Sequence, residues 1–192
     1  MMNESIAQTG KERDTARIVD AALELYSERG PARVSLREVA QRAGVNYGLI
    51  HQYVGTKEQL LRLVFTRSSE VWTDAFASAG GAESAAGVLL RAKSSTYVRM
   101  LAHVILEGRD PSVLVGSNPA MKELVRRLDD DADDGSGIAD ARLHAAVLTG
   151  MSMGWGLFGP YLRLISGLDD VPQDELDERV YAYLREVFAA AR

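Results

Sequence analysis

Apolar residues recur every three or four positions along most of the chain, the period of a helix that buries one face. Ile18, Ala21, Ala22, Leu25 and Tyr26 form the first stripe, with charged residues between them. Its end is marked by Arg29, which suits a last turn, by Gly30, which accepts a left-handed cap, and by Pro31, which cannot continue the helix. Ser35-Leu-Arg-Glu38 then has the form of a capping box, in which serine and glutamate each satisfy an orphan backbone NH of the other. A short helix is therefore expected from Leu36, with Leu36, Val39 and Ala40 inward and Gly44 as its stop. A second short run follows, with Val45, Ile50 and Val54 apolar. Thr56-Lys-Glu-Gln59 is another capping box, opening a long helix through Leu60, Leu61, Val64, Phe65, Val71, Trp72 and Phe76 that stops before Gly80-Gly81.

Four or five more helices are expected beyond it, at about 84–93, 95–107, 119–131, 138–166 with a break near Gly159-Pro160, and 173–190. No stretch alternates with period two long enough to need a sheet. The expectation is an all-α protein of about nine helices: a flexible tail over 1–12, a three-helix head over 13–58, and a helical body over 59–192.

The second and third helices of the head, joined by a tight glycine turn with small Ala40 inside, make a helix-turn-helix, whose second helix fits the major groove. Its outward set is Asn46, Tyr47, Gly48, His51 and Gln52. Asn and Gln pair bidentately with adenine, and a helix start bearing Lys57 suits a phosphate. A glycine at 48 lets the backbone approach DNA. An ordinary helical corner with solvated polar residues would share the local pattern.

Charge changes the picture further. The net charge of -5 speaks against a nucleic-acid partner, but it is uneven: residues 11–67 hold 10 Lys+Arg against 7 Asp+Glu, and residues 68–192 hold 12 against 19. A mildly basic front on an acidic body fits a DNA-contacting module attached to a domain with another task.

From ARIVDAALELYSERGPARVSLREVAQRAGV into NYGLIHQYVGTKEQLLRLVF, the chain resembles the N-terminal DNA-binding domain of the tetracycline-repressor (TetR) family. The resemblance covers somewhat more than a quarter of the chain. It implies that Ser35 and Arg37 meet phosphate or the groove edge, that Asn46, Tyr47, Gly48 and Gln52 hold base-reading positions, that Ile50 and Val54 are buried, and that Lys57 contacts phosphate. Two positions depart from the pattern. His51 stands where the family usually has an aromatic, and Val54 replaces the last aromatic of the motif, with Tyr53 offering a replacement hydroxyl one position earlier.

The resemblance also implies that the body dimerises through its last two long helices and holds an effector pocket. Gly150 and Gly154, four apart, let another helix approach closely, and Leu143, Val147, Met151 and Met153 add soft apolar surface. The same residues would also serve a crossing within one chain. For the pocket, Tyr97, Met100, His103, Val104 and Glu107 are expected to face Met121, Leu124, Met151, Trp155 and Phe158, although such stripes also make ordinary cores. The expected effector is small and largely apolar, with His103 and Glu107 as a polar pair.

Other chemistry fits poorly. There is no cysteine, no serine in a nucleophile elbow, no H-E-x-x-H and no phosphate loop, so an enzyme using His103, Glu107 or His144 is a remote reading. Asp129, Asp131, Asp133 and Asp140 have the spacing of a calcium loop, but Asp134 stands where that loop needs glycine, so no metal or other cofactor is expected. Leu143 to Leu162 lacks charge over 20 residues, yet four glycines, His144 and Pro160 make it too polar for a membrane span. The first ten residues lack the basic start and apolar run of a secretory signal, so a cytoplasmic protein is expected. The resulting expectation is a homodimeric repressor of a palindromic operator released by a small effector, with an activator or an effector-independent regulator as the alternative.

Overall fold

The computed structural model describes residues 2–79, 88, 95–110, 112, 118–131 and 140–190. Among these there are eight α-helices, one short 3-10 turn and no strand. They are α1 (Met2–Arg29), α2 (Leu36–Ala43), α3 (Tyr47–Tyr53), α4 (Lys57–Ala77), α5 (Ser95–Leu106), α6 (Pro119–Asp131), α7 (Ala141–Ile165) and α8 (Gln173–Ala190). The helix expected over 84–93 lies outside the described residues apart from position 88, as do residues 132–139, with Asp133 and Asp134 of the calcium-loop spacing.

Two units divide these elements. One holds the described residues up to Ser68 together with 96–110 and 112; the other holds those of 69–79, 88, 95, 118–131 and 140–190. The head is thus larger than the 13–58 expected. Its core needs the first half of α4, whose Leu60, Leu61, Val64 and Phe65 are buried, and it needs α5, whose Met100 and Val104 are fully buried in the same cluster. Nor is 1–12 separate from the head's first helix, because α1 runs from Met2.

Each turn in the head has a local cause. Gly30 has φ 80, and Pro31–Arg33 form the 3-10 turn that leads to α2. At the start of α2 both halves of the capping box are formed, and Gly44 ends it in the left-handed conformation at φ 64. Gly55, at φ 74, turns the chain into the second box, where Thr56 N–H donates to Gln59 Oε1 at 2.7 Å and Gln59 N–H to Thr56 Oγ1 at 3.2 Å.

In the second unit, Phe76, Leu124, Leu128, Ala145 and Leu148 form a separate core. Arg127 donates to the carbonyls of Ala77 and Ala79, both at 2.6 Å, and so satisfies orphan acceptors at the end of α4. Asp140 caps α7 by accepting from the N–H groups of Arg142 and Leu143. The expected break near Gly159-Pro160 does not occur: α7 is continuous through Pro160, which removes one N–H donor on the exposed side, where water can meet the Gly156 carbonyl. Beyond α7, Arg163 donates to Val171 O at 2.6 Å and Gln173 Oε1 at 2.5 Å, fixing the turn into α8. No helix among the described residues is long and apolar enough to cross a membrane.

Candidate nucleic-acid interface

α2 is tied to α1 before it can present α3. Arg42 donates to Glu24 at 3.1 Å and lies 3.5 Å from Glu28, and Arg29 donates to Glu38 at 2.8 Å. Beneath, Val39, Ala40 and Ala43 are buried against the head's core. With two ion-paired edges and an apolar underside, α2 forms a fixed base for the turn at Gly44. The carboxyl of Glu38 is drawn down to about 2 from 4.5 by the donors of Ser35, first its backbone N–H and then its hydroxyl, with Arg29 adding to them.

α3 shows the expected division of sides. Ile50 is fully buried and Val54 nearly so, while Asn46, Tyr47, Gly48, His51 and Gln52 are exposed. These five therefore share the outer side of a seven-residue helix that is held only from beneath. Tyr47 is at the centre of a small stack: its hydroxyl lies 3.3 Å from His51 Nε2, the two rings meet edge-on, and the Arg37 guanidinium lies 5.4 Å from the Tyr47 ring centroid. Gly48 has only Asn46 Oδ1 near the place of a Cβ, and its outer side is open.

Three expected contact residues have other partners in this structure. Asn46 Oδ1 accepts from Gly48 N–H at 2.9 Å as the N-cap of α3, which leaves the amide NH2 for a base but not the bidentate pairing expected. The Ser35 hydroxyl belongs to its capping box, accepting from Glu38 N–H and donating to the Glu38 carboxylate. Lys57 Nζ donates to the Ala32 carbonyl at 3.3 Å, and burial, then Arg109, lowers its pKa. Tyr53 is half-buried beneath Lys11, whose Nζ lies 5.8 Å from its ring centroid.

Two further basic side chains approach this side without having been expected there. Lys11 reaches Tyr53, and Arg17 Nη2 donates to the Gly44 carbonyl at 3.4 Å, at the turn between α2 and α3. Their signal in the sequence was the cluster of cations at 11, 13 and 17 near the start of the first apolar stripe. Assigning 1–12 to a tail set Lys11 apart from it.

The residues expected to line an effector pocket are divided between the two units. Tyr97, Met100, His103, Val104 and Glu107 belong to the first unit, and Met121, Leu124, Met151, Trp155 and Phe158 to the second. Met100 and Val104 are core residues of the head, with Tyr97 packed edge-on against Phe65. Glu107 does not pair with His103 to face a ligand: it accepts the Ala32 N–H. Leu124 is core and Met121 is packed against it, Trp155 Nε1 donates to Asp177 at 3.5 Å, and Met151 and Phe158 are exposed. A stripe of apolar residues on α5 has served to build the head.

The family model for bacterial regulatory proteins of the tetR family matches residues 18–64, which span the helices just described. Over 168 residues, 88% of this chain and 85% of the relative, the chain is 36% identical to the HTH-type transcriptional repressor Rv3405c of Mycobacterium tuberculosis. Among solved structures, it is similar to a tetR-family regulatory protein of Rhodococcus RHA1, with a TM-score of 0.68, 18% identity and coverage of 92% of this chain and 95% of that one. FadR of Bacillus subtilis, solved in complex with stearoyl-CoA, matches with a TM-score of 0.58, 19% identity and coverage of 88% and 96%. At those identities the solved structures bear on the fold alone. The repressor matched along most of both chains, together with the capped α2–α3 pair, shows that the chain belongs to the TetR family of helix-turn-helix transcriptional regulators and is not an enzyme.

Proposed function

We propose that the protein is a homodimeric repressor that holds a palindromic operator and releases it when a small, largely apolar effector binds the body. The observation that carries the reading is the sidedness of α3: Asn46, Tyr47, Gly48, His51 and Gln52 are exposed above buried Ile50. A helix of that size presents base-reading groups to a major groove without exposing core. Dimerisation is supported by α7, which has a second apolar face opposite its buried one, and by the need to hold two recognition helices about 34 Å apart, one turn of DNA. FadR, a protein of the same fold, was solved with stearoyl-CoA, which makes acyl-chain compounds the first effectors to test here. An effector acts here only through its different affinity for the DNA-competent and DNA-incompetent states. Gel-shift titration with the DNA upstream of the protein's own gene tests the proposal. A salt-sensitive, sequence-dependent shift that acyl-chain compounds reverse is the expected result; the absence of any such shift would sink it.

A further inference from the structure

Residue Ala32, in the turn before α2, is held from both sides. Its N–H donates to Glu107 Oε1 at 3.0 Å and Oε2 at 3.2 Å, and its carbonyl accepts from Lys57 Nζ at 3.3 Å. Glu107 follows α5 and Lys57 opens α4, so one residue of the α1–α2 turn joins two elements far from it in the chain. Arg109 closes the ring, donating to Glu58 at 2.6 Å and lying 3.3 Å from Glu107. Its direction is set by the backbone: Gly108, at φ 71, turns the chain, and Arg109 N–H returns to Val104 O. The side chains of Glu107 and Arg109 are only 19% and 28% exposed, a setting in which charge pairing is less screened than on an open surface. Gly30 fits this arrangement, since a Cβ there would stand 2.5 Å from Glu107 Oε1.

The helices α2 and α3 are suspended between the Ala32 turn and the first turn of α4, and the ring of Lys57, Glu58, Glu107 and Arg109 fastens both ends. We infer that Glu107 and Arg109 are positioning residues for DNA recognition, setting where α3 stands and aiming Lys57 at the DNA backbone without touching DNA themselves. An ammonium has three donors, so Lys57 can keep its bond to Ala32 and still meet a phosphate. The inference rests on the reading of α3 as the DNA-contacting helix.

The test is fluorescence anisotropy of the full chain with a duplex enriched by in vitro selection against the unmutated protein, repeated over a range of salt. Glu107→Ala and Arg109→Ala should each weaken binding about 10-fold, a size ordinary for residues acting through others. The slope of log affinity against log salt should stay unchanged in both, whereas Lys57→Ala should reduce it by about 1 through a lost phosphate contact. Arg109→Lys should restore most of the loss. Equal binding by wild type and both alanine variants overturns the inference, as does a slope reduced by about 1 in Arg109→Ala, the sign of a direct phosphate contact. If Glu107→Ala does not melt cooperatively, Glu107→Gln takes its place: it keeps an acceptor for Ala32 but drops the ion pair, and unweakened binding by it is equally fatal. Failure of the unmutated protein to enrich any sequence is a different outcome, which removes the DNA reading and the inference with it.

Discussion

Tyr47 and His51, one helical turn apart on α3, are bonded hydroxyl to Nε2 at 3.3 Å, with ring centroids 5.6 Å apart and planes at 81°. The pair, with Arg37 against the other part of Tyr47, orders an exposed aromatic before DNA arrives. Ordering such a side chain on binding costs about 0.5–1.5 kcal/mol, so losing its support raises that cost. His51→Ala should therefore weaken binding to a selected duplex by roughly 3- to 10-fold while the melting temperature is unchanged. Normal binding by this variant would mean that the exposed side of α3 is not the DNA-facing side.

Asn46 has two separable tasks in one side chain, its Oδ1 as the N-cap and its NH2 as a donor to a base. Asn46→Ser keeps a good cap and removes the amide, so the fold should be preserved and operator affinity reduced. Asn46→Ala should in addition destabilise the protein by about 1 kcal/mol through loss of the cap. Thermal melts and anisotropy titrations on the two variants distinguish the tasks; unchanged affinity in Asn46→Ser would leave capping as the side chain's whole contribution.

Glu38 makes the head acid-sensitive in a defined window. Its carboxyl is held at about 2 in the fold against an ordinary 4.5, so the charged form is the one the fold favours. A depressed folded value contributes stability that is complete above about pH 4.5 and is lost as pH falls through about 2. Melting temperature followed across that window should fall less steeply for Glu38→Gln than for the unmutated protein. Identical slopes would show that the Ser35 and Arg29 donors do not favour the carboxylate.

Tyr26 is fully buried, and its hydroxyl has no hydrogen-bond partner among the described residues. Burial, then the nearby charge of Glu58, raises its pKa well above the phenol range, with Arg109 opposing. A buried hydroxyl without a partner forfeits its hydration for nothing, at about 1–3 kcal/mol. Tyr26→Phe should thus raise stability, by about 1 kcal/mol or a few degrees in melting temperature. A lowered melting temperature would reveal a partner for the hydroxyl in solution.

What was legible in the sequence is what closes over a few residues. The boxes Ser35–Glu38 and Thr56–Gln59 and the stop at Gly44 involve partners three to five residues apart, and all three are formed. Ile50 and Val54, apolar in the sequence and buried positions by the family resemblance, are buried in the fold. The Glu107–Ala32 bond spans 75 residues and joins a carboxylate to a backbone N–H, a pairing that no side-chain pattern announces. For α5 the period showed one apolar face, but the partner of that face was decided by tertiary packing. The same limit kept the sequence from showing that Met100 and Val104 belong to the head's core.

α7 is apolar on two opposite sides. Ala141, Ala145 and Leu148 are buried on one, and Leu143, Val147, Met151, Phe158 and Tyr161 are exposed on the other, Leu143 by 63% and Tyr161 by 61%. Gly150 and Gly154 lie along the exposed side with nothing among the described residues within 4 Å of where a Cβ would stand, which leaves room for a second helix to pass close to the backbone there. A contiguous apolar stripe of that kind is uncommon on a protein that stays monomeric. Val147→Glu adds charge where the monomer leaves a side chain in water, so the fold should hold while the dimer weakens at least 10-fold, the scale of a charge placed unpaired in an interface. Sedimentation at micromolar concentration should then show monomer, and affinity for a two-half-site duplex should fall toward that for a single half-site, because joining the sites no longer raises their effective concentration. A Val147→Glu protein that sediments as a dimer would move the interface away from this face of α7.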